Sequence, residues 1–272
     1  MTTPEHWRGI SGRWNLIGSP LRPIDADQAV FSRLLNLESS APLRGLILGV
    51  TPELRALPWP AESEVWGVDR SLDMIRAIWT GPADRVVNAN WLSLPWPEAT
   101  FDRVLCDGGL HLLTYPDEQV ELATSLARVL RSNGTFALRL FALPPQPETV
   151  PQVLAALEQG QIANFHQFKL RMAMALQSQP REGVRLAHVY DEIVRVCGGD
   201  LGQLVTQTGW PAEVVNTVLS YRDSSNVYHF LTEAESVATL TSTGRLRLVA
   251  RGVGAYPWAE QCPILLFATS AT

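Results

Sequence analysis

Apolar positions along this chain alternate between two spacings, and that alternation predicts its elements. From Asp25, the residues Val30, Leu34 and Leu35 share one face of a helix. The polar stretch "NLESSAPLRG" then gives way to the run Leu46–Leu48, which fits a short buried strand. "TPEL" follows as a helix start: Thr51 can cap, Pro52 suits the first helical position because its missing N–H costs nothing there, and Glu53 favours the positive helix end. Next come "EVWGVD" as a strand, "SLDMIRAIW" as a helix, and "DRVVNAN" and "FDRVLCDG" as strands. "EQVELATSLARVLRSNG" predicts a helix closed by Asn133 and Gly134, and "TFALRLF" a further strand. Strands alternating with helices argue for a parallel sheet covered on both faces.

Pro144, Pro145, Pro147 and Pro151 break this rhythm, and about eighty mostly helical residues follow. In "GVRLAHVYDEIVRVC" the residues Leu186, Tyr190, Ile193, Val194 and Cys197 fall on one helical face. The alternating pattern then returns. "LTEAESVATL" opens with Thr232 and Glu235 at capping-box spacing, and "RLRLVARG" and "PILLFATS" are strands. The expected organisation is one domain over residues 1–272: a helical segment at 1–40, a ligand-binding core at 41–143, a helical insertion at 144–230 that caps the substrate, and a final helix with two strands at 231–272.

Composition narrows the function. A chain of 272 residues, 46% hydrophobic and 18% charged, can bury a full core. The formal charge of -5, with no basic run, makes nucleic acid a poor partner. The opening "MTTPEHWRGISGRW" lacks an apolar signal core, and no stretch approaches the roughly 20 apolar residues that cross a bilayer. A cytoplasmic protein without membrane association is expected, as a monomer or homodimer. Cys106, Cys197 and Cys262 are widely spaced and odd in number, which suggests buried thiols; no Cys/His cluster at ligand spacing indicates a metal.

The loop "LGVTPEL" after the first core strand is where an open parallel sheet binds a ligand. A pyrophosphate needs close glycine backbone and free N–H donors. Here only Gly49 is glycine, Pro52 has no N–H, and the carboxylate of Glu53 would repel phosphate. A phosphate-free, positively charged cofactor fits better, and S-adenosylmethionine carries both an ammonium and a sulfonium. Asp69, twenty residues after Gly49, ends "VWGVD"; it can take both hydroxyls of an adenosine ribose or cap the following helix.

"VWGVDRSLDMI", "NANWLSLPWPEATFDRVLCDGGLHLL" and "LARVLRSNGTFALRLF" resemble successive motifs of class I S-adenosylmethionine-dependent methyltransferases over residues 45–141. Leu94, Pro95, Trp96, Pro97, Phe101, Asp102, Val104, Leu110 and His111 keep that family's spacing. The resemblance implies a Rossmann-like, doubly wound, mostly parallel seven-stranded α/β sheet, with the helical insertion between strands 5 and 6. It implies S-adenosyl-L-methionine as cofactor and S-adenosyl-L-homocysteine as product. Gly49, with Val50 and Thr51, would approach the methionine part, and Glu53 would take over the ammonium contact. Asp69 would hold the ribose, Arg70 and Met74 would lie beside the adenine, and Asn90 and the Trp91 backbone would contact its edge. Asp107 and Gly108 would lie next to the methyl group. The sequence departs from the family's pattern at Ile47, Thr51 and Glu53.

Methyl transfer is an in-line displacement, so the chain must align the acceptor and, for a hydroxyl or protonated amine, remove a proton. Asp107 is a candidate base or positioning group, or else a ligand of its own loop backbone. His111 is a candidate base, although the family's matching histidine more often packs or caps a helix. Arg139, inside an apolar strand, should meet a carboxylate, most simply an internal one. Trp14, Arg22, Asn164, His166, Lys169, Tyr256 and Trp258 are candidates for enclosing a small-molecule acceptor. Two other readings compete: a noncatalytic partner subunit on the same fold, motivated by the altered first loop, and a nicotinamide-dependent oxidoreductase, which Glu53 opposes.

Overall fold

The computed structural model describes residues 12–38 and 41–270. Residues 1–11 of the expected N-terminal segment, most of the stretch searched for a signal core, lie outside the described residues. The strands are β1 (Arg44–Leu48), β2 (Glu64–Asp69), β3 (Val86–Asn88), β4 (Phe101–Asp107), β5 (Leu130–Arg139), β6 (Val184–Arg185), β7 (Val227–Tyr228), β8 (Leu246–Gly252) and β9 (Ile264–Thr269). Seven of them form one sheet in the order β3-β2-β1-β4-β5-β9-β8, while β6 and β7 make a separate antiparallel ribbon. β1 to β5 pair in parallel, and β9 runs antiparallel to both of its neighbours, β5 and β8. The fold is the class I methyltransferase sheet that the resemblance implied. Its last strand lies inside the sheet, with the helical residues of the insertion falling between β5 and β8 in sequence.

The central strands are apolar on both faces because both are covered. Side chains alternate along a strand, so Ile47, Leu105, Ala137 and Leu266 pack on one face with Val30, Phe31 and Leu35 of α1 (Asp25–Leu35) and with Leu54 of α2 (Pro52–Arg55). Leu46, Val104, Phe136, Leu138 and Phe267 point the other way. They meet Leu122, Leu126 and Val129 of α4 (Asp117–Val129), which follows α3 (Leu72–Ile78) in the chain. Each fully buried side chain of this kind contributes about 1.5–3 kcal/mol. The insertion holds α5 (Val150–Glu158), α6 (Phe165–Leu176), α7 (Leu186–Val196), α8 (Leu201–Thr208) and α9 (Ala212–Val215), which build a second apolar cluster around Phe165, Phe168, Val189 and Ile193. The final helix, α10 (Glu233–Thr241), begins with the expected capping box: Glu235 N–H donates to Thr232 Oγ1 at 3.2 Å, and Thr232 N–H to Glu235 Oε2 at 2.9 Å.

Three local expectations are corrected. α4 stops at Val129, not at Asn133 and Gly134: Leu130 pairs with Phe101, and Arg131 Nη1 bonds Asp102 Oδ1 at 2.7 Å, so the neighbouring strand captures the would-be last turn. α2 is a single turn, and the Thr51 side chain makes no capping bond. Pro58, two residues past its C-cap, disfavours helical backbone at Leu57. The insertion is not wholly helical, since Val184 and Arg185 pair with Tyr228 and Val227 in a ribbon whose strands flank α7, α8 and α9 in the chain.

Candidate active site

The loops at the carboxyl ends of β1, β2 and β4 converge on one cavity, where an open parallel sheet holds its ligand. Of the residues singled out from the sequence, Gly49, Val50, Thr51, Asp69, Arg70, Met74, Asn90, Trp91, Asp107, Gly108 and His111 all line it. Glu53 does not. Its Oε1 is gripped by Arg22, with Nε at 2.8 Å and Nη2 also bonded, and Arg22 Nη1 donates to Trp14 O at 3.1 Å. The carboxylate thus clips the N-terminal segment over the first loop, and its charge is neutralised by a guanidinium. Glu53 Oε2 is buried without a hydrogen-bond partner among the described residues. The expectation of an unpaired anion at the cavity mouth is therefore corrected.

Gly49 has φ +94°, and its N–H donates to Val68 O at 2.7 Å. A Cβ built there would lie 4.0 Å from Asp69 Oδ2 and 3.8 Å from the Trp91 ring, so glycine keeps the approach to that carboxylate open. Asp69 Oδ1 accepts from Ser71 N–H at 2.7 Å, while Ser71 Oγ caps α3 through Met74 N–H at 3.3 Å. Burial raises the Asp69 carboxyl to about 6, against the opposing pull of the Ser71 amide and Arg70. Asn90 uses its side-chain carbonyl on Leu92 N–H at 3.1 Å, so that oxygen is already engaged locally. Trp91 Nε1–H donates to Val68 O at 2.9 Å, which fixes its ring beside the cavity.

Asp107, at the tip of β4, belongs to a buried network. Arg139 is wholly buried; its Nε donates to Asp107 Oδ1 at 2.5 Å, Nη2 to Pro20 O at 2.9 Å, and Nη1 lies 3.4 Å from Asp27 Oδ2. Tyr256 Oη donates to Asp27 Oδ1 at 2.9 Å, closing the set. Arg139 therefore finds the internal carboxylate its position required, and finds two. Burial pushes Asp107 up and the guanidinium opposes it, while the two carboxylates hold Arg139 cationic. At Gly108, φ +58°, a Cβ would stand 2.6 Å from the Phe141 ring. His111 stacks on Phe230 at 5.2 Å and meets Tyr228 edge-on at 4.6 Å. Burial lowers it to about 3, leaving a neutral imidazole that is a weak base near neutral pH.

The opposite wall comes from outside the sheet. Trp14 and Lys169 line the cavity as the sequence suggested; Arg22, Asn164, His166, Tyr256 and Trp258 do not. Thr217, Ser220, Tyr221, Tyr228 and Phe230, which sequence reasoning missed, complete it. The alternation in "VYHF" was the available signal, since Tyr228 and Phe230 fall on one side of an extended segment.

A family model described as a methyltransferase domain matches residues 48–138, from the last residue of β1 almost to the end of β5. No curated protein sequence matches the chain. Among solved structures, a Rhodobacter sphaeroides protein named by inference as a Zn-dependent alcohol dehydrogenase is similar at TM-score 0.65, with 16% identity and 98% of each chain covered. The CcbJ methyltransferase of Streptomyces caelestis is similar at TM-score 0.56, with 15% identity and 100% of each chain covered. A SAM-dependent methyltransferase from Aquifex aeolicus is similar at TM-score 0.51, with 12% identity over 97% of this chain and 98% of its own. At such identities these likenesses carry the fold alone. Among the described residues, no group of three or more His, Cys, Asp or Glu is arranged to hold a metal ion. Residues 48–138 thus match a methyltransferase-domain model, the strand order is that of the class I S-adenosylmethionine-dependent methyltransferase fold, and the cavity lies at the tips of β1, β2 and β4.

Proposed function

We propose that the chain moves a methyl group from S-adenosylmethionine to a small-molecule acceptor enclosed between the sheet and the insertion. The observation that carries this reading is the division of one cavity into two unlike walls. The tips of β1, β2 and β4 supply a carboxylate and open backbone, and the insertion supplies aromatic side chains. The cofactor fits the first wall on the chain's own chemistry. Asp69 Oδ2 faces the space that a side chain at Gly49 would enter, with its other oxygen held by Ser71, which suits the paired hydroxyls of a ribose. Gly49, Val50 and Thr51 would border the methionine part, and Met74, Arg70, Asn90 and Trp91 the adenine. When bound, S-adenosylmethionine supplies an electrophilic methyl on a sulfonium.

The remaining work falls to the chain: holding the acceptor in line, excluding water, and receiving a proton where the acceptor has one to lose. Asp107, fixed by Arg139 at the tip of β4, is assigned to orient the acceptor beside Gly108. His111, neutral and packed among rings, is assigned to the wall.

The test is calorimetric titration of S-adenosylhomocysteine against NAD. Binding of the first and silence toward the second is expected; no heat from S-adenosylhomocysteine would favour a noncatalytic subunit, and heat from NAD an oxidoreductase. A pH series sharpens this. Only ionised Asp69 accepts from both hydroxyls, and its carboxyl is raised to about 6. Affinity for S-adenosylhomocysteine is therefore expected to hold above pH 7 and to fall below pH 6, approaching about tenfold per further pH unit. A flat profile from pH 7 to 5 would remove Asp69 from the contact.

Glu53→Gln weakens the clip from Arg22 but leaves the cavity lining intact. It is expected to lower Tm by a few degrees, from about 1–2 kcal/mol, while changing S-adenosylhomocysteine affinity less than about fivefold. A loss of two decades would show that the cofactor's ammonium rests on Glu53.

A further inference from the structure

The chain has 22 basic side chains, and Lys169 is its only lysine. It lies in the middle of α6 with all its neighbours from Phe165 to Met174 buried, and it is itself 3% exposed. Its Nζ stands 4.8 Å from the Tyr221 ring centroid and 5.7 Å from that of Phe165, and the side chain lines the cavity. Among the described residues no hydrogen bond or carboxylate meets it, whereas Arg171, two residues on, is paired with Glu148 at 2.9 Å. A buried ammonium held only by ring faces is a costly arrangement. Burial brings the amine down to about 7. A lysine can shed or regain its proton as a ligand arrives, which arginine cannot do.

The surroundings indicate what would complete the site. At this end of the cavity Arg13 supplies a second cation, bonded through Nη1 to Asn216 O at 3.4 Å. The titratable neighbours, His166, Tyr221, Tyr228 and His111, carry no negative charge near neutral pH. His166 is held low, to about 4, by burial and by the charge of Lys169, and both tyrosines are pushed up by burial. Asp107, the carboxylate at the tip of β4, is already neutralised by Arg139. The walls are flat rings: Tyr221 and Tyr228 lie edge to face at 6.4 Å, and Tyr228 stands edge-on to Phe230 at 6.1 Å.

Resting on the methyltransferase reading above, we propose that the acceptor is a compact aromatic anion whose negative group binds Lys169 Nζ while its ring lies among Tyr221, Tyr228 and Phe230. The ammonium acts as the specificity-determining contact of the acceptor end, and the ring faces exclude water around the ion pair.

The test uses the whole chain saturated with S-adenosylhomocysteine, titrated at neutral pH with two anions and their neutral counterparts: benzoate against benzamide, and nitrophenolate against nitrobenzene. At least one anion is expected to bind about tenfold or more tightly than its counterpart, and the preferred anion tells a carboxylate acceptor from a phenolate one. The preference is expected to vanish in Lys169→Met, which keeps the length and removes the charge. Neutral probes or benzylamine binding as well as the anions, no binding by either anion, or a preference that survives Lys169→Met would each overturn the assignment. The wild-type comparison stands even if the variant folds poorly. The saturating titration separates the two levels: failure of S-adenosylhomocysteine to bind sinks the methyltransferase reading, whereas normal binding without anion preference sinks only the role of Lys169.

Discussion

Arg139→Met is expected to destabilise the protein by about 3–5 kcal/mol, the cost of removing one partner from a buried ionic set. For a chain of this size that lowers Tm by about 10 °C. Methionine fills most of the volume, so the loss is electrostatic: Asp27, itself fully buried, and Asp107 would be left without the guanidinium that both share. Two further readouts identify the cause. Adding Asp27→Asn and Asp107→Asn to Arg139→Met should recover much of the stability, because no uncompensated charge then remains inside. The deficit of the single variant should also shrink as pH falls from 7 toward 5. Asp107, already pushed up by burial, rises further without Arg139, and a carboxyl whose folded pKa exceeds its unfolded value stabilises the folded state as it takes up a proton. Thermal melts across pH check both. A Tm within 2 °C of wild type would mean that water reaches these carboxylates readily.

Asp69→Asn should separate function from stability. The variant keeps an oxygen for Ser71 N–H but places an amide donor where two ribose hydroxyls would donate. Hydrogen bonds to a charged group contribute about 1.5–3 kcal/mol. The expected loss of S-adenosylhomocysteine affinity is therefore about 100-fold. Stability should move the other way. The folded pKa of about 6 lies above the ordinary 3.8, so the ligand-free protein is disfavoured at neutral pH by the buried carboxylate and gains stability as pH falls through 6 toward 4. Asparagine removes that charge at every pH. After discounting for solvent reaching this half-buried group, a gain of about 1–2 kcal/mol, or a Tm rise of a few degrees, is expected without ligand. Calorimetric titration and melting of the same sample check the pair. Unchanged affinity would exclude Asp69 from the cofactor contact, and a large drop in Tm would reduce it to a structural cap for the Ser71 turn.

Strand tips were legible in the sequence where local signals agreed. "VWGVD" placed Asp69 at the end of β2, and "FDRVLCDG" placed Asp107 at the end of β4, because a short apolar run ending in an acid or glycine has few other ways to sit in a covered sheet. Signals failed where distant chain competed for the same atoms. Asn133 and Gly134 resemble a helix stop, yet the pairing of Leu130 with Phe101 ends α4 one turn earlier. Glu53 has the residue type and the place of a cofactor contact, but Arg22, thirty-one residues earlier, takes its carboxylate. Asn90 likewise uses its carbonyl on Leu92. In each case the residue type was informative and the occupied valence was not.

Periodicity alone determined the alternating core, the interruption at the proline cluster and the return of the sheet after it, while the resemblance of the motifs named the residues from Gly49 to His111 that border the cavity. Those features follow from neighbours a few positions apart, whose spacing sets which face of a strand or helix turns inward. Tertiary structure alone decided which charges are free. It joined Arg139 to carboxylates on α1 and β4, closed Glu53 with the N-terminal segment, and left Lys169 facing the rings of Phe165 and Tyr221 without a counter-ion among the described residues. Ion pairing depends on distances between residues far apart in the chain and on the water excluded around them, and no local pattern records either quantity.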